Sequence, residues 1–399
     1  MKQVLLAKAV RIKNQRVKPF DGEKEYLATG GLVGNKIKTE FVTYATKPSR
    51  ADLLVTKNQL IVARMKETNK VLLVDEKQSD VIVSTGFLVL DVQEGWDSGF
   101  LFHYFVSDFF QKQKDKFSIG ATQKAINNEK FKEILIPEIS LEDQKRIVKI
   151  LDKADSIRQK RKQSIGLLDD YLKSVFLEMF GDSNNYETVK LESLVKNSKG
   201  SMRSGPFGSD LKHSEFVDNG IAVIGIDNAV KNKFEWSQRR YITAEKYQKL
   251  KRYTIFPRDV IITIMATIGR SAVIPENIPM AINTKHLAAI TLDQSKANPY
   301  FIAYSIHSDK RIREQILGST RGAIMPGLNL GIIKNLNIIQ FPVELQNKFE
   351  TIYQKIEALK EKMLTQSSEL DVQFQALMQK VFQPGDLLPQ EKIIEESVK

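Results

Sequence analysis

Apolar or small residues recur in steps of three and four at positions 147, 150, 154, 157, 164, 168, 171/172, 175 and 179. The same stepping returns at Phe349, Ile352, Ile356, Leu359, Met363, Leu370, Phe374, Leu377 and Val381, with Gln366 in the series. Sustained over about five heptads, this spacing predicts a coiled-coil seam. Ser140 ahead of Leu141, Glu142 and Asp143 predicts the start of the first helix, and Gly181 its end. Pro342 suits the first position of the second helix. Gly166 is the weak point inside. The pairing candidates are Ile147, Ile150, Ile157, Leu168 and Val175 on one helix and Phe349, Ile352, Leu359, Leu370 and Leu377 on the other. Their common register predicts that the helices pack on each other as an antiparallel coiled coil; packing of each on its own globule is the alternative. Arg161, Ser164 and Gln366 put polar groups mid-seam, where they cost stability but fix register and partner.

Elsewhere the apolar runs are short, β-branched and bounded by Gly, Pro, Asn and Asp. LIVARM (60–65), KVLLV (70–74), DVIVST (80–85), VIITIM (260–265) and HLAAITL (286–292) read as strands. These runs also reveal that the chain is written twice. At an offset of about 200, Leu60-Ile61-Val62 and Met65 fall on Val260-Ile261-Ile262 and Met265, and Lys70 on Arg270. From Ser118 onward the offset settles at 202, placing Gln144 on Gln346. The expected fold is α+β with an internal pseudo-twofold repeat: two mixed α/β domains, 1–139 and 183–341, separated by helices over 140–182 and 342–383, with a tail over 384–399. At the upstream offset of 200 the roughly twenty residues before Gly205, including Tyr186 to Leu194, have no counterpart in the first copy.

SGPFGSDLK (204–212) concentrates turn chemistry in Gly205, Pro206, Phe207 and Gly208. It is not a nucleotide P-loop, because Ser209-Asp210 stand where that loop needs Lys and a hydroxyl residue. The expectation is a structural turn with Phe207 as a core plug. Asn298-Pro299-Tyr300-Phe301 approaches an adenine methyltransferase motif but lacks its second proline, and Asn298-Pro299 reads better as a helix cap. No cysteine is present, so disulfides and thiol nucleophiles are excluded. His103, His213, His286 and His307 stand singly, without zinc-site spacing. With 42% hydrophobic residues the chain has enough for real cores. Sixty Lys and Arg against 48 Asp and Glu leave a net charge of +12, which favours a polyanionic partner, nucleic acid first. Neither a signal-peptide core nor an apolar run of about 18 residues occurs, so the expected location is the cytoplasm.

On these residues the sequence resembles the specificity subunit of type I restriction–modification enzymes. The Gly205–Gly208 turn, with Gly220-Ile221 after it, is similar to the start of a target recognition domain of that family. The run from Leu135-Ile136-Pro137 through Gln144 resembles the family's spacer, repeated from Ile338-Ile339 through Pro342 and Gln346. The resemblance implies two target recognition domains, each reading half of a split double-stranded DNA sequence. It implies no catalysis and no metal or cofactor in this chain. Two modification subunits would carry the S-adenosylmethionine chemistry, and restriction subunits the ATP- and magnesium-dependent steps. Candidate DNA-binding residues are Lys36, Lys38, Arg64 and Lys70 in the first copy and Arg203, Lys212, Arg239, Arg240 and Arg270 in the second. Two other readings stay open from sequence: a specificity chain of another restriction or methyltransferase system with its own catalytic function, and a basic coiled-coil scaffold for RNA or protein.

Overall fold

The computed structural model describes residues 2–382, except 35, 122, 208–209 and 320–326. Gly208 of the expected turn and the tail therefore lie outside the described residues. The chain divides into two compact units, one built from residues up to Gln163 together with those from Leu364 onward, the other from Ser164–Met363.

In the first unit the strand Leu60–Ala63 is buried along its whole length because both of its faces are covered. Successive side chains point to opposite faces. Leu60 and Val62 join Leu88 and Leu90 against Phe100, Tyr104 and Phe110 of the helices Ser98–Val106 and Asp108–Phe117. Ile61 and Ala63 turn the other way, toward Leu53, Val81 and Val83 of a second sheet. The first sheet runs Val10–Ile12, Phe87–Val92, Leu60–Ala63, Val71–Leu73, all antiparallel. The second runs Glu40–Val42, Lys24–Leu27, Ile82–Ser84, Ala51–Leu54, with its central pair parallel. The result is three layers: helices, sheet, sheet.

The second unit repeats this order strand for strand. Met202–Ser204, Leu287–Ile290, Val260–Thr263 and Ser271–Val273 form the first sheet. Tyr241–Ile242, Ile221–Ile224, Ala281–Asn283 and Thr254–Ile255 form the second, again with a parallel central pair. Val260 and Ile262 face the helix Pro299–Ser308, while Ile261 faces the other sheet. The topology corrects the apparent gap in the first copy. Its strand Gln3–Leu5 pairs with Leu135–Pro137 just as Thr188–Lys190 pairs with Asn337–Ile339. A single 3-10 turn follows in each, at Leu6–Lys8 and Leu191–Leu194. The first copy has this element in shorter form; a fixed offset of 200 concealed it.

The long helices run Leu141–Phe180 and Val343–Phe382, and Ser140 caps the first through its hydroxyl, 3.1 Å from the Asp143 N–H. Each unit holds one half of each helix, paired antiparallel. In the first unit Arg158 bonds Asp371 at 2.7 Å and lies over the Phe374 ring. In the second, Phe176 and Phe180 pack on Phe349, and Lys360 meets Asp169 at 2.5 Å. Both readings of the helices are thus realised together, since these same side chains complete the domain cores. The seam differs from the expected one by a residue in places. Ile147, Leu168, Val175, Phe349, Ile352 and Leu377 pack into the cores. Ile157 and Leu359 are instead 45% and 47% exposed, and Ile150 and Leu370 are half-buried. Leu151 and Arg158 take the inward positions on the first helix, while Ile356 and Met363 of the expected series are buried on the second. Straight helices drift from a strict 3.5-residue repeat, so a seam read by steps alone walks off the face.

One side chain fixes where each long helix begins. Gln144 is 1% exposed; its Oε1 accepts the Asp97 N–H at 2.8 Å, and its amide donates to the carbonyls of Gly95 and Ile139 at 3.2 and 3.1 Å. Gln346 repeats this with the Asn298 N–H at 2.8 Å and the Phe341 carbonyl at 2.7 Å. Gln346→Leu leaves a buried N–H and a carbonyl unpaired and should cost about 1–3 kcal/mol for each orphaned group, read as a lowered urea midpoint. On the seam, Ile157→Lys and Leu359→Lys should stay within about 0.5 kcal/mol of the parent. Ile356→Lys should lose several times that on thermal or chemical denaturation, because it buries an unpaired charge.

Candidate nucleic-acid interface

The parallel pair of each second sheet ends in loops, and several of the basic candidates lie on or beside them. In the first unit the turn Thr85–Gly86 follows the strand Ile82–Ser84. The Gly86 carbonyl accepts the Arg64 N–H at 2.9 Å, and Thr85 N–H reaches the Arg50 carbonyl at 2.9 Å. Lys70 Nζ donates to the Thr29 carbonyl at 2.7 Å. Thr29 leads into the small hairpin Leu32–Val33/Lys36–Ile37, whose Lys36 is exposed, as is Lys38 just after it. Lys36, Lys38, Arg64 and Lys70 are thus brought into one loop cluster. Arg64 serves it from below: its guanidinium donates to the Phe87 carbonyl at 3.2 Å and Asn128 Oδ1 at 2.7 Å, and burial lowers its pKa.

In the second unit the matching turn is Thr284–His286. Thr284 N–H bonds the Ile224 carbonyl at 2.9 Å, and the His286 carbonyl accepts the Ile264 N–H at 2.9 Å. The Gly205-Pro206 turn lies against it. A Cβ on Gly205 would collide with the Thr284 backbone, so this glycine is required by close approach. Gly205 and Pro206 are buried, but Phe207 is 52% exposed and is not the expected plug. Arg270 is exposed at the end of the loop 264–270. Arg239 is exposed and lies over Trp236, 5.2 Å from the ring. Arg240 is half-buried and paired with Asp227, and Lys212 is exposed on the next turn, its N–H on Glu215 at 2.7 Å.

Arg203 is the clear departure. It is 6% exposed, with its guanidinium spent on Asp259, on the carbonyls of Thr254 and Gly200, and on the Thr291 hydroxyl. Burial pushes the Asp259 carboxyl up, while Arg203, Thr291 and the Phe256 N–H pull it back. Alternation along Met202–Ser204 turns this side chain into the core, a constraint that flanking the Gly-Pro turn hides in sequence. Arg50 and Lys285, both exposed, were not among the sequence candidates. Each borders a cluster turn, and Lys285 could have been found from the match of Thr85 to Thr284. Polar groups beneath the second cluster are under-satisfied: Asn283 Oδ1, Thr284 Oγ1 and His286 Nδ1 find no hydrogen-bond partner among the described residues. Burial and Lys285 lower the His286 pKa, which keeps the imidazole neutral.

The methyltransferase-like Asn298 is wholly structural. It is 2% exposed, its Oδ1 caps the helix through the Tyr300 N–H at 2.8 Å, and its amide donates to Asn347 at 2.8 Å and to Glu350. Glu350 also grips Arg258 with two bonds of 2.9 Å. Burial alone would raise the Glu350 carboxyl, but Arg258 and Asn298 hold it below its ordinary value. No group of three or more His, Cys, Asp or Glu gathers as a metal site among the described residues. Nor is any described helix long and apolar enough to cross a membrane.

Residues 2–167 match the model of the type I restriction modification DNA specificity domain. The type I restriction enzyme MjaVIII specificity subunit of Methanocaldococcus jannaschii is 21% identical over 343 residues, which span 80% of this chain and 76% of that protein. Among solved structures, a chain from a study of complex assembly and conformational transition of the type I R-M system aligns over 97% of this chain and 98% of its own, with TM-score 0.64 and 21% identity. The type I restriction–modification S subunit from M. genitalium aligns over 97% and 96%, with TM-score 0.55 and 17% identity. These last two likenesses are of fold. The similarity to the type I restriction modification DNA specificity domain covers residues 2–167, which hold the first copy of the repeat.

Proposed function

We propose that this chain is the DNA-recognition subunit of a type I restriction–modification complex. Each unit reads one half of a split double-stranded target, and the chain performs no chemistry itself. The observation that carries this reading is the duplicated frame, the same strand order twice, in a chain of net charge +12. The partners would be two modification subunits holding S-adenosylmethionine, and restriction subunits using ATP and magnesium, in the cytoplasm. Docking of protein partners is supported by large apolar side chains left outward on the long helices, Ile157 and Val372 in the first unit and Leu167, Tyr171, Leu177 and Leu359 in the second. Within the clusters, Lys36, Lys38, Lys212, Arg239 and Arg270 supply phosphate contacts, which position a protein without specifying sequence.

Mapping methylated adenines after exposing DNA to the modification subunits, with and without this chain, tests the reading. Methylation at a bipartite sequence only when the chain is present is expected; methylation independent of it overturns the proposal. Salt titrations assign the individual charges. Arg239→Ala and Arg270→Ala should each flatten the log–log dependence of affinity on salt by ~0.9. Arg203→Met should leave that slope alone and instead lower stability by about 3–5 kcal/mol, because Asp259 is left charged and buried.

A further inference from the structure

Between the first two strands of the central antiparallel hairpin, both units carry a seven-residue loop, 64–70 and 264–270, on the same frame. The frame residues correspond, Leu60-Ile61-Val62 to Val260-Ile261-Ile262 and Met65 to Met265. The loop tips do not: Lys66-Glu67-Thr68-Asn69 stands where the second copy has Ala266-Thr267-Ile268-Gly269. We propose that these two loops are the sequence-reading elements of the two units, with Glu67 and Thr267 as the side chains that meet base edges. This inference rests on the DNA-recognition reading above and deepens it.

Three observations support it. First, Glu67, Ala266 and Thr267 are exposed and Met265 is 38% exposed, so the tips are open to a groove. Second, both tips hold a non-glycine residue at positive φ, Glu67 at 56° and Ala266 at 60°. Such strain persists only where the surroundings enforce it. They do so here by different means. Beneath the first loop lies Lys114, which is 0% exposed and donates from Nζ to the carbonyls of Met65 at 2.9 Å and Thr68 at 2.7 Å. Its neighbour Asp115 accepts the Glu67 N–H at 3.0 Å. In the second unit Ile316 packs under Gly269, and Thr263 ties the loop from within, donating its hydroxyl to the Thr267 carbonyl and accepting the Arg270 N–H. Third, each loop abuts its basic cluster, through Lys70 on Thr29 and through Ile264 on His286. A rigid loop with a variable tip, set beside phosphate-binding charge, suits direct readout. A carboxylate accepts from the exocyclic amine of cytosine, and a threonine offers a hydroxyl or its methyl group.

The test is methylation-site mapping of the assembled complex with two single variants. Glu67→Gly removes the side chain at a φ that glycine prefers, so the melting temperature should be unchanged or higher. Thr267→Ala removes only a hydroxyl and a methyl. Each should relax base preference about tenfold at one position, in one half-site, and the two variants should act on different half-sites. Chain-dependent methylation with both half-sites unchanged in both variants overturns this inference and leaves the recognition reading standing. So does relaxation by both variants in the same half-site. Methylation that ignores the chain altogether overturns both.

Discussion

The structure depends on how a long helix is tied to the first turn of a shorter one. A buried glutamine does this twice. Gln144 and Gln346 each satisfy the N–H just ahead of a core helix with one end of their amide, and with the other a carbonyl just ahead of their own helix. The helices Ser98–Val106 and Pro299–Ser308 pack directly on the central strands, so this tie sets the sheet against the long helix. In the second unit the tie extends further. Asn298 passes it to Glu350, and Glu350 to Arg258, just before the strand Val260–Thr263. The far end of that strand carries the loop 264–270. Polar side chains, rather than the apolar seam alone, therefore connect the second long helix to the start of the central strand, and their directional bonds permit one geometry where a greasy contact would allow several.

Beneath the repeated frame the two units differ in how they satisfy equivalent positions. Asp259 with Arg203 and Thr291 in one unit is matched by Gln59 with Asp91, at 2.6 Å, in the other. The buried Lys114 of one stands where the offset of 202 puts Ile316 in the other. A buried charge is tolerable only with its partners in place. Each unit has therefore settled its polar interior on its own terms, although the backbone order of strands and helices is common to both.

Much of this was legible in the sequence. Caps were readable because capping is local: Ser140 and Asn298 sit where their side chains reach the first helical N–H groups. The central strands were readable because burial on both faces leaves an unbroken apolar run. What escaped depended on distance in space. Nothing local shows that Arg203 points inward, that Phe207 points out, or that Gly205 is pressed against Thr284. The short strand Gln3–Leu5 escaped because its identity lies in pairing with Leu135–Pro137, more than a hundred residues on.

The division between frame and tip also explains why a basic composition points to a class of partner more readily than to individual contact residues. Of the nine charges singled out by sequence, Arg203 lies in the core, Arg64 and Lys70 hold loops through carbonyls, and Arg240 holds Asp227. A guanidinium or ammonium on a long stem serves a fold as readily as it serves a phosphate, because backbone carbonyls ask for the same donors. The residues left outward are Lys36, Lys38, Lys212, Arg239 and Arg270. Affinity for a polyanion follows from such charges wherever they are spread, whereas discrimination needs side chains held at fixed positions against base edges. Among the described residues, the seven-residue hairpin loops recur in both units, exposed at their tips and fixed from beneath, with different residues at the same place in the frame. The proposed reading of a split target would use that combination: an unchanged scaffold for geometry, and a changed tip for sequence.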